Sequence, residues 1–181
     1  MTKEIALIAA SVALLFAGAA EAQTGFRAPS GTSPLYGELG YTWMKFKVEG
    51  GPDFDTGFVR GIIGYDFHPG FAGELMVAGG TQKDTHFGTT VDPRSAIGIY
   101  LKPKANFGNI EVYGRLGWTQ VRIRASDATG TESGKDNDFS YGLGANFAFA
   151  PRWYAGADWM RYTKKDGVTS EGPTLSVGYR F

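Results

Sequence analysis

Cysteine is missing from all 181 residues, which excludes a disulfide framework, a thiolate metal site and a cysteine nucleophile. Charge of one sign is missing too: 18 Lys and Arg face 18 Asp and Glu, so nothing in the balance favours a nucleic-acid partner. Histidine occurs only at His68 and His86, which leaves little for imidazole acid–base chemistry. Beyond residue 22 there is no long apolar run, and mean hydropathy is −0.19. A helical span, which needs about 20 apolar residues, is therefore excluded there. No later segment carries a helical period either.

The one apolar run lies at the start, in MTKEIALIAASVALLFAGAAEA. Lys3 precedes it and Ala20-Glu21-Ala22 closes it with a small-x-small site, the pattern of a secretory signal peptide cut before Gln23. The expected organisation is a signal peptide at 1–22, a flexible periplasmic segment at 23–34 and a single domain at 35–181.

What the chain has in quantity is glycine, 27 residues, and aromatics, 14%. These fall into segments that alternate with period two, the signature of strands. In TLSVGYRF, Leu175, Val177, Tyr179 and Phe181 share one face. In SYGLGANFAFA, Phe139, Tyr141, Leu143, Ala145, Phe147 and Phe149 oppose Ser140, Gly142, Gly144, Asn146 and Ala148. FVRGIIGYDF places Val59, Ile63, Tyr65 and Phe67 against Phe58, Arg60, Ile62 and Asp66, and FAGELMVAG places Phe71, Leu75 and Val77 against Glu74. LYGELGYTW, SAIGIYLK, VYGRLGW and RWYAGADW behave alike, giving eight strands.

Alternation alone fits a soluble sandwich as well as a membrane barrel, so three further features decide. Aromatics gather at both ends of the apolar faces: Trp43, Trp118, Phe139 and Trp159 at one, Phe67, Phe71, Phe147, Phe149, Trp153 and Phe181 at the other. Two such girdles around an aliphatic band match the headgroup levels of a bilayer. The opposite face is rich in glycine, which suits the crowded interior of a small closed barrel. Connections alternate between short ones (HPG, around KPKANFGN, APR) and longer polar ones (EGGPDFD, GTQKDTHFGTTVDP, ASDATGTESGKDND, KKDGVTSEG), as in outer-membrane barrels. The expected fold is all-β: an eight-stranded antiparallel up-and-down transmembrane β-barrel, monomeric.

TLSVGYRF, with its terminal Phe181, resembles the C-terminal assembly signal of bacterial outer-membrane proteins, carried here by Leu175, Val177, Tyr179 and Phe181. The chain from 35 onward resembles the eight-stranded OmpA-like/OmpX-Ail-like porin family. That resemblance implies insertion by the barrel assembly machinery and a setting of outer-membrane lipid and lipopolysaccharide.

On the inward face, Arg60, Arg115 and Arg180 accompany Glu38, Asp66, Glu74 and Asp158. Buried charges are costly unless paired, and eight strands leave room for little besides side chains, so a space-filling ion network is expected rather than an open path. His86 with Asp84 lacks a convincingly placed serine for acyl transfer. GTESGKD misses the phosphate-loop spacing and reads as a hairpin loop. Asp53 with Asp55, and Asp136 with Asp138, lack calcium-loop spacing. Lys164 and Lys165, above the outer girdle, could meet lipopolysaccharide phosphates. No cofactor, metal or catalytic residue is assigned. The expected function is non-enzymatic, structural or surface-interacting through external loops, with a narrow channel for ions or small solutes as the alternative and a lipid-A-modifying enzyme behind it.

Overall fold

The structure, a computed structural model, describes residues 33–48, 54–81, 84–86, 89–127, 130–165 and 168–181. The expected signal peptide, most of the expected 23–34 segment and Asp53 lie outside the described residues.

Strands run Leu35–Val48 (β1), Phe54–His68 (β2), Phe71–Gly80 (β3), Asp84–His86 (β4), Thr89–Phe107 (β5), Ile110–Asp127 (β6), Gly130–Ala148 (β7), Trp153–Lys165 (β8) and Val168–Arg180 (β9). All pairings are antiparallel; they join neighbours in the chain except that β3 pairs with β5 and β1 with β9. β3 and the three-residue β4 lie one after the other along the same edge of β5. The barrel therefore has eight staves, as the sequence predicts, with the third interrupted. Closure gives every stave two neighbours, which is what backbone amides require in hydrocarbon.

Alternation sorts the side chains inside out. Leu39, Ile63, Leu75 and Val77 are each more than 60% exposed, while Arg60 and Arg115 are at 1% and 0%. A water-soluble domain would invert this arrangement, whereas a lipid-facing barrel demands it.

Phe181 is tied into the closing seam. Its backbone N–H donates to Leu35 O at 3.1 Å, and its carbonyl accepts from Ser33 N at 2.6 Å. One short turn is made by Gly108 at φ +61°, a left-handed conformation that glycine enters without the usual Cβ penalty.

The strands overrun the lengths expected from sequence, and on both sides. The expected turn around KPKANFGN shrinks to Gly108-Asn109, with Lys102 and Lys104 inside β5. The GTESGKD stretch, expected as a hairpin loop, belongs to β7. Pairing of β6 with β7 continues nine residues past Trp118–Phe139 to Asp127–Gly130, about 30 Å along the strand at 3.3 Å per residue. Turn-forming residues, Pro103 and Gly108-Asn109 on one side and the glycines of GTESGKD on the other, made these stretches read as connections.

Candidate functional site

The interior is built from inward positions that the register brings to similar heights. Arg60 on β2 donates from Nη2 to Glu38 Oε1 at 3.0 Å and pairs with both carboxylate oxygens of Asp158. Arg115 on β6 reaches Glu74 (Nε–Oε2, 2.6 Å), Asp158 (Nη1–Oδ2, 2.6 Å) and Glu38 (Nη2–Oε2, 3.1 Å). Nearer the short turns, Arg180 bonds Asp66 at 2.9 Å and Glu111 at 3.0 Å. Lys104 bonds Asp66 at 2.6 Å and lies 3.3 Å from Glu111. Lys102 links the two groups, 3.0 Å from Glu111 and 3.5 Å from Glu74.

Five cations and five carboxylates thus form one connected, electrically balanced network. All seven charged residues read from the sequence lie in it. Lys102, Lys104 and Glu111 were missed as members. The signal that could have found them is the same period of two, carried past Leu101 and back before Val112 to the Gly108 turn. Tyrosines complete the packing: Tyr36 OH donates to Glu74 at 2.6 Å, and Lys102 Nζ lies 4.1 Å over the Tyr113 ring.

The next inward positions on the external side are apolar. Phe58, Met76 and Met160 follow Arg60, Glu74 and Asp158, and with Met44, Tyr100 and Tyr162 they form a buried cluster. Alternation placed glycine, charged residues, Phe58 and Ile62 on this face; its outer half is a hydrophobic core. At the same levels, Thr42–Thr174 and Tyr100–Thr119–Ser140 make hydroxyl pairs at 2.6–2.8 Å beside it.

Outside, Trp43, Trp118, Phe139 and Trp159 are all exposed, and Trp118 meets Phe139 edge-on with ring centroids 5.6 Å apart. At the other end Phe67 stacks on Phe71 at 6.5 Å, and Trp153–Tyr179–Phe181 form an edge-to-face chain at 4.9 and 5.3 Å. Phe147 and Phe149 are exposed beside them. Leu175 and Val177 face outward with Phe181, while Tyr179 is half-buried.

Beyond the outer girdle, Glu171 accepts from Lys47 Nζ at 2.7 Å and from Arg161 Nε at 3.2 Å. Partial burial acts to raise its pKa, but these two cations outweigh it and hold the carboxyl below its usual range. Here β7 and β8 part. Their pairing ends at Tyr141–Arg161, and the carboxylate of Asp138 instead accepts the amides of Phe139, at 2.7 Å, and Lys164. That is structural use of Asp138, which the sequence had weighed only as a cation ligand with Asp136.

Of the other weighed residues, His68 accepts from Gly70 N at 3.1 Å within its turn. Asp84 and His86 fall in β4, and the side chains of that segment, of 130–136 and of Lys165 lie outside the described residues. Among the described residues no group of three His, Cys, Asp or Glu could hold a metal ion.

A family model for the outer membrane protein beta-barrel domain matches residues 8–181. Among solved structures, the attachment invasion locus protein Ail of Yersinia pestis, in complex with the heparin analogue sucrose octasulfate, superposes with a TM-score of 0.66 at 20% identity. That match covers 81% of this chain and 97% of the other. Neisserial surface protein A superposes with a TM-score of 0.64 at 14% identity, covering 83% and 99%. Comparison with curated protein sequences finds no match.

Proposed function

This chain belongs to the outer-membrane β-barrel family, and we propose that it is a non-enzymatic surface protein whose barrel is a sealed anchor and whose working part is the portion standing above the membrane. The observation that carries the reading is the filled interior. Arg60, Arg115, Glu74 and Glu111 are at most 2% exposed, and the apolar cluster lies directly outside them. A conducting path needs water along its length, and in an eight-stranded barrel side chains can fill the whole section. The long β6–β7 hairpin, by contrast, is presented on a rigid base, the usual arrangement for recognition segments. The similar barrels of known structure are described as an attachment invasion protein and a surface protein, which agrees with a surface role.

Insertion follows from the same reading. The terminal strand ends on an exposed aromatic and completes the seam with β1, so Leu175, Val177, Tyr179 and Phe181 act as the assembly signal read by the barrel assembly machinery. The mature protein stands as a monomer among lipid and lipopolysaccharide.

The test is complementation of envelope integrity. A deletion strain is scored for detergent sensitivity with the full chain or with a chain in which residues 123–134 are replaced by a two-residue turn, which keeps Arg122 opposite Lys135. Both proteins are checked for folding by heat-dependent gel mobility. The full chain restores resistance and the shortened barrel does not. Equal restoration by the two would overturn the reading.

A further inference from the structure

Beyond the level of Tyr141 and Arg161 the external rim divides. Strand β7 continues with β6 to Gly130, and β8 continues with β9 to Lys165, but among the described residues no pairing joins β7 to β8 past that level. On the far side of the barrel the β2–β3 ladder ends at Phe58–Gly80. Past it, among the described residues, 54–57 pair with β1 alone and β4 with β5 alone. The β6–β7 hairpin, with β5 and β4 behind it, is thus a sheet that meets the rest of the rim at two forks.

Both forks are closed by side chains. Had the β7–β8 ladder continued, its register would have brought Ser140 opposite Tyr162 and Asp138 opposite Lys164. Those are the residues whose backbone the two side chains bind instead: Ser140 Oγ donates to the Tyr162 carbonyl at 2.6 Å, and one carboxylate oxygen of Asp138 accepts the Lys164 amide. The other oxygen of Asp138 accepts the amide of Phe139 at 2.7 Å. Strand β8 is shaped to meet them. Tyr162 is the extra residue where pairing with β9 shifts from Arg161–Glu171 to Thr163–Ser170, and a bulge of this kind bends its strand. Ser140 gives its one hydroxyl hydrogen to Tyr162, so it accepts from Thr119 Oγ1 at 2.6 Å, which in turn accepts from Tyr100 OH at 2.6 Å. One directed chain therefore runs from β5 to β8, with all four residues at most 2% exposed. At the second fork the N–H and Oγ1 of Thr81 both donate to the Gly57 carbonyl, at 2.9 and 3.0 Å.

We propose that Asp138 and Ser140 are positioning residues that fix the direction in which the β6–β7 hairpin leaves the barrel. Their role rests on the reading of that hairpin as the working part. A side chain set between two strands holds them farther apart than the roughly 4.8 Å of a ladder and still leaves the facing backbone groups paired, so the fork has a defined width. Hydrogen bonds to a carboxylate are the stronger kind, and the hydroxyl chain below is shielded from water, where such bonds gain strength. Without the two side chains, β7 is free either to zip onward against β8 or to swing on β6 alone. The hairpin reaches eight residues past Asp138 to Gly130, about 26 Å at 3.3 Å per residue. A small change of angle at the fork therefore becomes a displacement of several ångströms at the hairpin end.

The experiment measures that displacement in the refolded mature chain in phosphatidylcholine nanodiscs. The chain has no cysteine, so Ser133→Cys, opposite Arg124 in the hairpin, and Asp55→Cys on β2 each take a nitroxide label without background. Pulsed electron–electron double resonance then gives the distance distribution between the two labels. The otherwise unaltered chain gives one narrow distribution. Asp138→Ala and Ser140→Ala each shift or broaden it by about 5 Å or more, one strand spacing. Asp138→Asn, which keeps one acceptor oxygen for the two amides, falls between. Gln120→Ala removes the exposed bond to Asn137 at the base of the same hairpin and leaves the distribution unchanged. A broad distribution without any of these substitutions, no change in either alanine variant of a barrel that still shows the gel shift, or an equal change in Gln120→Ala each overturns the proposal. The distances are read without any assay of envelope integrity, so this failure and failure of the hairpin replacement are told apart.

Discussion

Arg115 and Glu74 meet at 2.6 Å in the centre of the barrel, with essentially no exposure of either side chain. Arg115 also pairs with Glu38 and Asp158, so its removal takes one cation from three buried carboxylates at once, leaving Glu38 and Asp158 to Arg60 and Glu74 to Lys102. Arg115→Met should destabilise the folded barrel by about 3–5 kcal/mol, the cost of breaking a buried ion pair. Lys104→Met should cost less, because Lys104 serves two carboxylates rather than three and one of them, Asp66, keeps a 20% exposed side chain. Urea unfolding in detergent micelles measures the two. An equal loss would mean that the charges do not act as the connected network described.

The lipid-facing side is tested by Leu143→Arg. Leu143 is 55% exposed, opposite Trp159 on β8. A guanidinium there should cost on the order of 2–4 kcal/mol near the midplane, falling toward the interfaces. Thr89→Arg, at the external start of β5 opposite His86, should be nearly neutral. Yields of heat-modifiable protein in membranes report both, and equal tolerance would contradict the topology.

The seam between first and last strands makes a third prediction. The β1–β9 ladder runs to Thr42–Thr174 and resumes at Lys45–Glu171. In the gap Pro173 has no N–H, and a Cβ on Gly172 would fall on the Trp43 carbonyl. Gly172→Ala must push the closing strands apart and should cost about 1–3 kcal/mol, as overpacking does. At Gly114 a Cβ would meet its neighbours at 3.6 Å or more, so Gly114→Ala should be silent. If the two behave alike, the close approach at Trp43 is not a constraint on closure.

The sequence carried the barrel wall clearly because the membrane imposes period two wherever lipid touches one face. Leu39, Ile63, Leu75 and Val177 could be placed outward from alternation alone. The ends were less legible. Lys102, Lys104 and Glu111 lie where Pro103 and Asn109 read as a turn, so three members of the ion network were hidden by local turn chemistry. Of the apolar layer, Phe58 was placed inward by alternation, but Met76 and Met160 were not, because in a barrel strand flanked by apolar residues a methionine facing inward looks like any other hydrophobe. Residues such as Arg161, Glu171 and Lys45, separated by as many as 126 positions between the outermost pair, become neighbours only through register.

The central claim is that the interior is sealed, and single-channel conductance of the refolded mature chain in a planar bilayer tests it most directly. The account predicts a folded, silent barrel, with Arg60→Ala or Glu74→Ala introducing conductance only as the network is breached. Reproducible stepwise current from the unaltered chain, changed in size by those same substitutions, would contradict it and make the luminal charges the lining of a pore.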